Sequence, residues 1–397
     1  MEQKRLTVVT APDSFKGSCS ASEAAAAMAD GVRDALGPAV TVIECPLADG
    51  GEGTLDALAA GLNADIREVD TVDAIGRPRR ARVAVSADGT TGVIEAAEAN
   101  GLPHVSDVDL QPMRADSYGV GILARHLMDE GVTDILLCIG GSASNDGGMG
   151  FASALGVKFL DESGVEVASG AQGLGDIRSV DMTGRHPRAA DVHFRVALDV
   201  DNPLLGSRGA ASVFGPQKGA TPEQVRVIDA GLANLAAVLA DSTGVDAREL
   251  SGAGAAGGMP ACLSAVLTTE FLPGSELVMG AVGFRELCAQ ADLVLTGEGS
   301  FDSQSLNGKV VAGVAGAVPS GCPVVVVAGR VMLDPKEARD AGITAAVSIA
   351  SGPSTLVEMT DEAIDLIRSS ASHIAAMYGT FSPSLGHSAG STPAADC

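Results

Sequence analysis

Residues 6–36 read LTVVTAPDSFKGSCSASEAAAAMADGVRDAL, and the fold class turns on them. Leu6–Ala11 is a short apolar, β-branched run of the kind found in strands buried on both faces. A polar loop, Pro12–Cys19, interrupts it. Ser20 and Glu23 then stand at capping-box spacing ahead of an alanine-rich run to Leu36, which predicts a helix. Thr41–Cys45 repeats the strand signal and Ala48–Gly53 repeats the loop. A second helix is predicted from Thr54 to about Leu62. Strand, helix, strand, helix is how an open parallel sheet begins.

The same rhythm returns late in the chain. Leu293–Thr296 is strand-like, a polar loop follows, and a helix is predicted near Lys309–Ala317. Pro323–Ala328 (PVVVVA) is the most continuous strand signal, Ala345–Ile349 comes next, and a helix near Asp361–Met377 closes the pattern. Five such strands make one flavodoxin-like parallel-sheet domain over residues 1–65 and 286–379, interrupted by an inserted mixed α/β domain over 66–285. Within the insert, Arg80–Val85 and Gly92–Ala96 alternate between Gly-Arg-Pro and Asp-Gly turns and read as antiparallel hairpins. A helix near Ser117–Glu130 and the strands Asp134–Ile139 and Phe194–Leu198 follow, and helices dominate from Pro222 to about Thr269. Asp134–Ile139 suits either sheet. Residues 380–397 are rich in Ser, Pro, Gly and Ala, and a disordered tail is expected.

Composition narrows the function. At 397 residues the chain exceeds what one hydrophobic core usually fills. A net charge of −24 argues against nucleic acid and anionic membrane surfaces, whose binding rests on Lys and Arg neutralising phosphate. A small anionic ligand remains compatible, because a few basic groups can set a local field. Seven cysteines with no C-x-x-C pair fit reduced thiols in a cytoplasmic protein. The histidines form no H-E-x-x-H, so a zinc site is not expected. No signal peptide is expected, and no apolar run in the sequence reaches about 20 residues.

Only six lysines occur, and three touch glycine in polar loops: Lys16, Lys218 and Lys309. Loops beyond the carboxyl ends of parallel strands are where open α/β sheets bind ligands. Three such loops carry carboxylates among glycines: Asp13-Ser14-Phe15-Lys16-Gly17, Asp49-Gly50-Gly51-Glu52-Gly53, and Gly297-Glu298-Gly299-Ser300-Phe301-Asp302, the last followed by Asn307-Gly308-Lys309. Mg²⁺ prefers one or two carboxylates plus phosphate oxygens, and phosphoryl transfer to a hydroxyl needs a cation on the moving group and an acceptor for the proton. The insert adds Gly140–Gly148, in which Gly141, Ser142, Asn145 and Asp146 could cradle an anion or face a metal. It also adds Asp199-Val200-Asp201-Asn202 and the Lys218 loop. Gly252–Gly258 formally matches G-x-G-x-x-G but follows no strand. Gly254, Gly257 and Gly258 therefore suit a phosphate loop better than a dinucleotide fold. No G-x-x-x-x-G-K-[ST], H-R-D or D-F-G occurs, which excludes P-loop and protein kinases. The residues alone thus favour phosphoryl chemistry without naming a substrate.

Six segments in order carry a resemblance: APDSFKG (Ala11–Gly17), PLADGGEGT (Pro46–Thr54), IGGSASNDGGMG (Ile139–Gly150), GPQKGAT (Gly215–Thr221), GAGAAGG (Gly252–Gly258) and LTGEGSFDSQSLNGK (Leu295–Lys309). Across residues 5–378 the chain resembles the bacterial type-1 glycerate kinase family. The resemblance implies ATP and Mg²⁺ as cofactors and D-glycerate as acceptor in a cleft between domains, with 2-phosphoglycerate or 3-phosphoglycerate as product. No acidic or basic motif position is lost. On this reading Lys16, Lys218 and Lys309 bind phosphate or carboxylate charge. Asp49, Glu52, Glu298 and Asp302 are metal candidates, and Asp13, Asp146 or Asp199 accepts the hydroxyl proton. Ser14, Gly17, Gly141, Ser142, Asn145, Asn202 and the glycines of the Gly252 loop line the substrates. Two rivals stand beside it: a nicotinamide-dependent oxidoreductase, resting on the lone G-x-G-x-x-G, and a non-catalytic small-acid-binding protein, since fold does not fix function.

Overall fold

The computed structural model describes residues 5–306 and 309–381. Asn307 and Gly308 of the third loop, and residues 382–397 of the expected tail, lie outside the described residues. In chain order the strands are β1 (Thr7–Thr10), β2 (Thr41–Glu44), β3 (Asp65–Val72), β4 (Pro78–Val85), β5 (Thr91–Glu95), β6 (Asp134–Cys138) and β7 (Lys158–Leu160). They continue with β8 (Ser179–Asp181), β9 (His193–Ala197), β10 (Thr268–Leu272), β11 (Leu293–Phe301), β12 (Val324–Val331) and β13 (Ala345–Ser348). The chain forms two compact units, one running to Ala48 and resuming at Met279, the other Asp49–Val278.

The first unit is a five-stranded sheet in the order β13-β12-β11-β1-β2, with every pairing parallel. Numbered within the unit this is 2-1-3-4-5, the flavodoxin-like order, so the early and late strands share one sheet as the rhythm predicts. The capping box forms: Glu23 N–H donates to the Ser20 hydroxyl at 3.2 Å and Ser20 N–H to the Glu23 carboxylate at 2.9 Å. The helix it starts, Ala21–Leu36, lies directly on the last helix, Ala363–Phe381. A Cβ on Gly31 would stand 2.2 Å from the Arg368 carbonyl oxygen, so only glycine permits that approach. Strand β11 runs five residues past Thr296, where the sequence pattern ends it. β12 continues alongside, pairing Ser300 with Arg330 and Phe301 with Val331, and Phe301 is wholly buried. Glu298 is therefore a strand residue rather than a loop residue.

The second unit holds a six-stranded sheet, β10-β9-β6-β5-β4-β3, parallel from β10 to β5 and antiparallel from β5 to β3. β6, which the sequence left open, belongs here. β10 was not foreseen; it starts where the sequence reading let the helices run out, near Thr269, and shows alternating exposure at the edge of the sheet. The helix Thr54–Gly61 packs on β4 and β5, so the chain passes into this unit at 48/49 and leaves at 278/279. The sequence pattern placed those crossings at 65/66 and 285/286. Phe151 and Phe194 meet edge to face at 6.4 Å in its core.

Candidate active site

In the first unit, β1 lies between β2 and β11, so the chain reverses direction across the sheet at the β1–β11 boundary, where such sheets bind ligands. Both foreseen loops leave from there. Asp13 N–H donates to the Gly297 carbonyl at 2.8 Å and Ser14 N–H to Asp13 Oδ1 at 2.6 Å, fixing the turn. Lys16 and Gly17 are exposed beyond it, and a Cβ on Gly299 would stand 3.6 Å from the Lys16 nitrogen, so the two loops run side by side. Asp302 turns inward on its own chain: Gln304 N–H donates to Asp302 Oδ1 at 2.8 Å and Asp302 N–H to the Ser305 hydroxyl at 3.1 Å. Lys309 is the N-cap residue of the helix Val310–Ala317.

In the second unit, the parallel strands end level with one another: Glu95 opposite Cys138, Cys138 opposite Ala197, Ala197 opposite Leu272. The Asp49–Gly53 turn reaches this edge. Asp49 Oδ1 accepts from Gly51 N–H at 3.1 Å, and Asp199 Oδ1 accepts from Gly274 N–H at 2.8 Å. A Cβ on Gly274 would stand 2.0 Å from the Asp49 carbonyl oxygen and 2.8 Å from Asp199 Oδ1. One on Gly50 would stand 2.8 Å from Asp199 Oδ2. Bare backbone at these two glycines is what lets Asp199 lie against the Asp49 turn. Glu52 is exposed. Glu95, which no sequence motif singled out, is buried at the same edge and accepts N–H bonds from Gly53 at 3.3 Å and Leu55 at 3.1 Å. The negative field there registers on a neighbour. Burial pushes the Cys138 thiol far above its ordinary range, and Glu95, Asp199 and Asp49 push it further.

The Gly140–Gly148 loop departs from expectation. Asp146 is wholly buried and accepts from Ser117 N–H (2.9 Å), the Ser117 hydroxyl (2.8 Å), Gly150 N–H (2.9 Å) and Gly148 N–H (3.2 Å). Three of these donors converge on Oδ2 and one reaches Oδ1, and together they hold the starts of the helices Tyr118–Glu130 and Met149–Ala154. Lys218, expected as a loop lysine for phosphate or carboxylate charge, is 3 % exposed, and its Nζ donates to the Ser144 carbonyl at 2.6 Å and the Ser142 hydroxyl at 3.2 Å. Desolvation brings its pKa down to about 7 against an opposing pull from Asp146. Asn145 Nδ2 donates to the Pro112 carbonyl at 3.2 Å, and the Gly141 carbonyl accepts from Leu102 N–H at 3.0 Å. The Gly252 loop is packed too. Cβ atoms on Gly254, Gly257 and Gly258 would stand 2.4 Å from the Pro203 carbonyl, 2.1 Å from the Ser144 carbonyl and 2.9 Å from Leu204. Asn202 anchors it, its carbonyl accepting from Gly254 N–H at 2.9 Å while its Nδ2 donates to the Arg208 carbonyl at 2.7 Å. A short 3₁₀ turn, Ala247–Glu249, precedes Gly252, so the strand that a dinucleotide fold requires is not there.

The family model for the glycerate kinase family matches residues 8–379. The chain belongs to the glycerate kinase family. It is 40% identical to a glycerate kinase of Halalkalibacterium halodurans, over 93% of this chain and 97% of that one. It is also 40% identical to a glycerate 2-kinase of Escherichia coli, over 94% of this chain and 97% of the relative. A crystal structure described as a putative glycerate kinase 2 from Salmonella typhimurium superposes with a TM-score of 0.87 at 39% identity, covering 95% of this chain and 99% of that one. Membership of a family of kinases sets aside both rivals, the oxidoreductase and the non-catalytic binder. Among the described residues no helix is long and apolar enough to cross a membrane.

Proposed function

We propose that this glycerate kinase transfers the γ-phosphoryl group of ATP to the 2-hydroxyl of D-glycerate, giving 2-phosphoglycerate. The observation that carries the reading is the Asp49–Asp199 pair, fixed by Gly51 and Gly274 N–H groups and brought together over bare glycine backbone. The 2-position follows the name of the Escherichia coli relative.

The donor set fits a divalent cation. Among the described residues no three His, Cys, Asp or Glu side chains group to hold a metal by themselves. One or two carboxylates completed by phosphate oxygens is the arrangement Mg²⁺ favours. Asp49 is the residue we assign to hold Mg²⁺, with Glu52 as the further carboxylate of the same turn; Glu298 and Asp302, in the first unit, are kept as separate candidates. Bound there with ATP, Mg²⁺ would offset charge on the transferred group. Asp199, oriented by Gly274, is our acceptor for the hydroxyl proton, and Asp13 is the alternative. Asp146, wholly buried and bonded to four donors of its own unit, is not. Lys16 and Lys309 are the lysines we assign to phosphate or carboxylate charge, with Ser14 and Gly17 beside Lys16, while Lys218 shapes the loop at Ser142. The free thiols suit the reducing cytoplasm, where we place the enzyme.

The test is ADP release with Mg-ATP on D-glycerate, L-glycerate, glycolate and no acceptor, with ³¹P spectra of the product. Turnover on D-glycerate yielding 2-phosphoglycerate supports the proposal. 3-Phosphoglycerate would overturn the regiochemistry, and turnover confined to another acid would overturn the substrate.

A further inference from the structure

We infer that Glu95 is a positioning residue for phosphoryl transfer, latching the Asp49–Gly53 turn to the end of β5. The inference rests on the roles proposed for Asp49 and Asp199. Its ground is the way the helix Thr54–Gly61 begins. The N-cap residue, Gly53, sits at φ +87° and offers no side chain to the turn. The acceptor is brought instead from 42 residues away. Glu95 Oε1 takes the Gly53 N–H at 3.3 Å and Oε2 the Leu55 N–H at 3.1 Å. If the only need were to cap a helix, Ser, Thr, Asp or Asn at the N-cap would meet it locally, without burying a carboxylate to 5 % exposure.

The long-range latch does something a local cap cannot: it ties the turn to the sheet edge that carries Asp199. The connection runs bond by bond. Glu95 holds Gly53 and Leu55, the Thr54 hydroxyl donates to the Gly51 carbonyl at 2.7 Å, and Gly51 N–H donates to Asp49 Oδ1. Gly50 and Gly274 then set how closely Asp49 and Asp199 approach. Glu95 touches no reacting atom in this scheme. It fixes the residue that does.

The experiment uses the full-length protein and the variants E95Q, E95A and D49N. Glutamine keeps one acceptor and turns an N–H donor toward the other amide, so one of the two bonds is lost. In E95Q we expect kcat to fall about 10- to 100-fold, the scale of an ångström-sized displacement, with KM for D-glycerate within about threefold of wild type. We also expect a raised Mg²⁺ half-saturation. In the substrate-free protein, hydrogen exchange should quicken at Gly51, Gly53 and Leu55 while β6 stays protected. Wild-type kcat in E95Q, or a loss that only follows the folded fraction, would overturn the inference, as would unchanged exchange at the three amides. D49N separates the two levels. Full activity in D49N defeats the underlying reading of Asp49, whereas an inactive D49N beside a fully active E95Q defeats the role of Glu95 alone. If E95A fails to fold, E95Q still decides.

Discussion

Substituting Asp146 with asparagine separates a buried cap from a catalytic base. The amide oxygen best takes the place of Oδ2, where it retains the Ser117 N–H, Ser117 hydroxyl and Gly150 N–H bonds. The amide nitrogen then faces Gly148 N–H, leaving that buried donor unpaired at a cost of about 1–3 kcal/mol. The three retained bonds pass from charge-assisted to neutral, which weakens each by roughly half. Relief from burying an ionised group offsets part of this. Together the loss comes to about 2–5 kcal/mol, or ~5–15 °C in Tm for a unit of this size. The assay is a urea and thermal melt of wild type and D146N, alongside kcat at a temperature where both are folded. The expected result is a large loss of stability with kcat reduced less than about tenfold. A melt within ~1 kcal/mol of wild type, together with a loss of 10³-fold or more in kcat, would refute the reasoning and return Asp146 to the list of bases.

Three further outcomes follow from the same geometry. Lys218 carries a proton below about pH 7 in the folded protein but up to its usual pKa of 10.5 when unfolded. The unfolded state thus binds more protons between those values, and stability should rise with pH there, by at most about 1.4 kcal/mol per pH unit; melts from pH 6 to 9 should show the slope in wild type and a flatter one in K218M. G274A would put a Cβ 2.0 Å from the Asp49 carbonyl oxygen, so the turn must shift; kcat should fall at least about tenfold with a stability loss of ~1–3 kcal/mol, and undiminished kcat would count against the Asp49–Asp199 pairing. Lys16 is exposed, and Asp302 is bonded within its own loop; K16A and D302A should lower kcat/KM by about 10²-fold or more with Tm within about 2 °C, and an unfolded variant with no kinetic defect would sink those assignments.

The strand–helix rhythm was legible because both faces of β1 and of the first halves of β11 and β12 are covered, and each begins as an apolar run. The capping box before Ala21 was legible because its signal is local. β10 was not. Its five residues, Thr268–Leu272, follow the helix Pro260–Val266 with only Leu267 between, so no turn signal marks where the strand begins. The unit boundary at Asp49 was missed because what assigns the helix Thr54–Gly61 is its packing on β4 and β5, which leaves no trace in local periodicity. At the site, the three loop lysines look alike in sequence, each beside a glycine. Tertiary structure separates them, burying Lys218 against Ser142 and Ser144 while leaving Lys16 in solvent. Glu95 was overlooked for a related reason. One acid closing Thr-Gly-Val-Ile-Glu reads as the solvent end of a strand, and only the amides of Gly53 and Leu55 show otherwise.

The glycines of these loops were first read as room for phosphate, and the structure gives several of them a different use. Gly50 and Gly274 open space for a carboxylate, Gly254 and Gly257 for a carbonyl of the same unit. A chain carrying −24 that acts on two anions cannot draw them by its overall field. It needs local positive charge, and on the proposed reading the acidic side chains packed over bare backbone at one edge would supply it by holding a divalent cation. The acidity of the Asp49–Asp199–Glu95 edge and the anionic nature of the substrates would then be parts of one arrangement, with the cation arriving with the nucleotide. On that view, adding positive charge to the protein at this edge, as in D199K, should weaken Mg-ATP binding rather than strengthen it, even though it lowers the net negative charge. Tighter Mg-ATP binding by D199K in calorimetry would show that overall charge, not the carboxylate edge, governs the encounter.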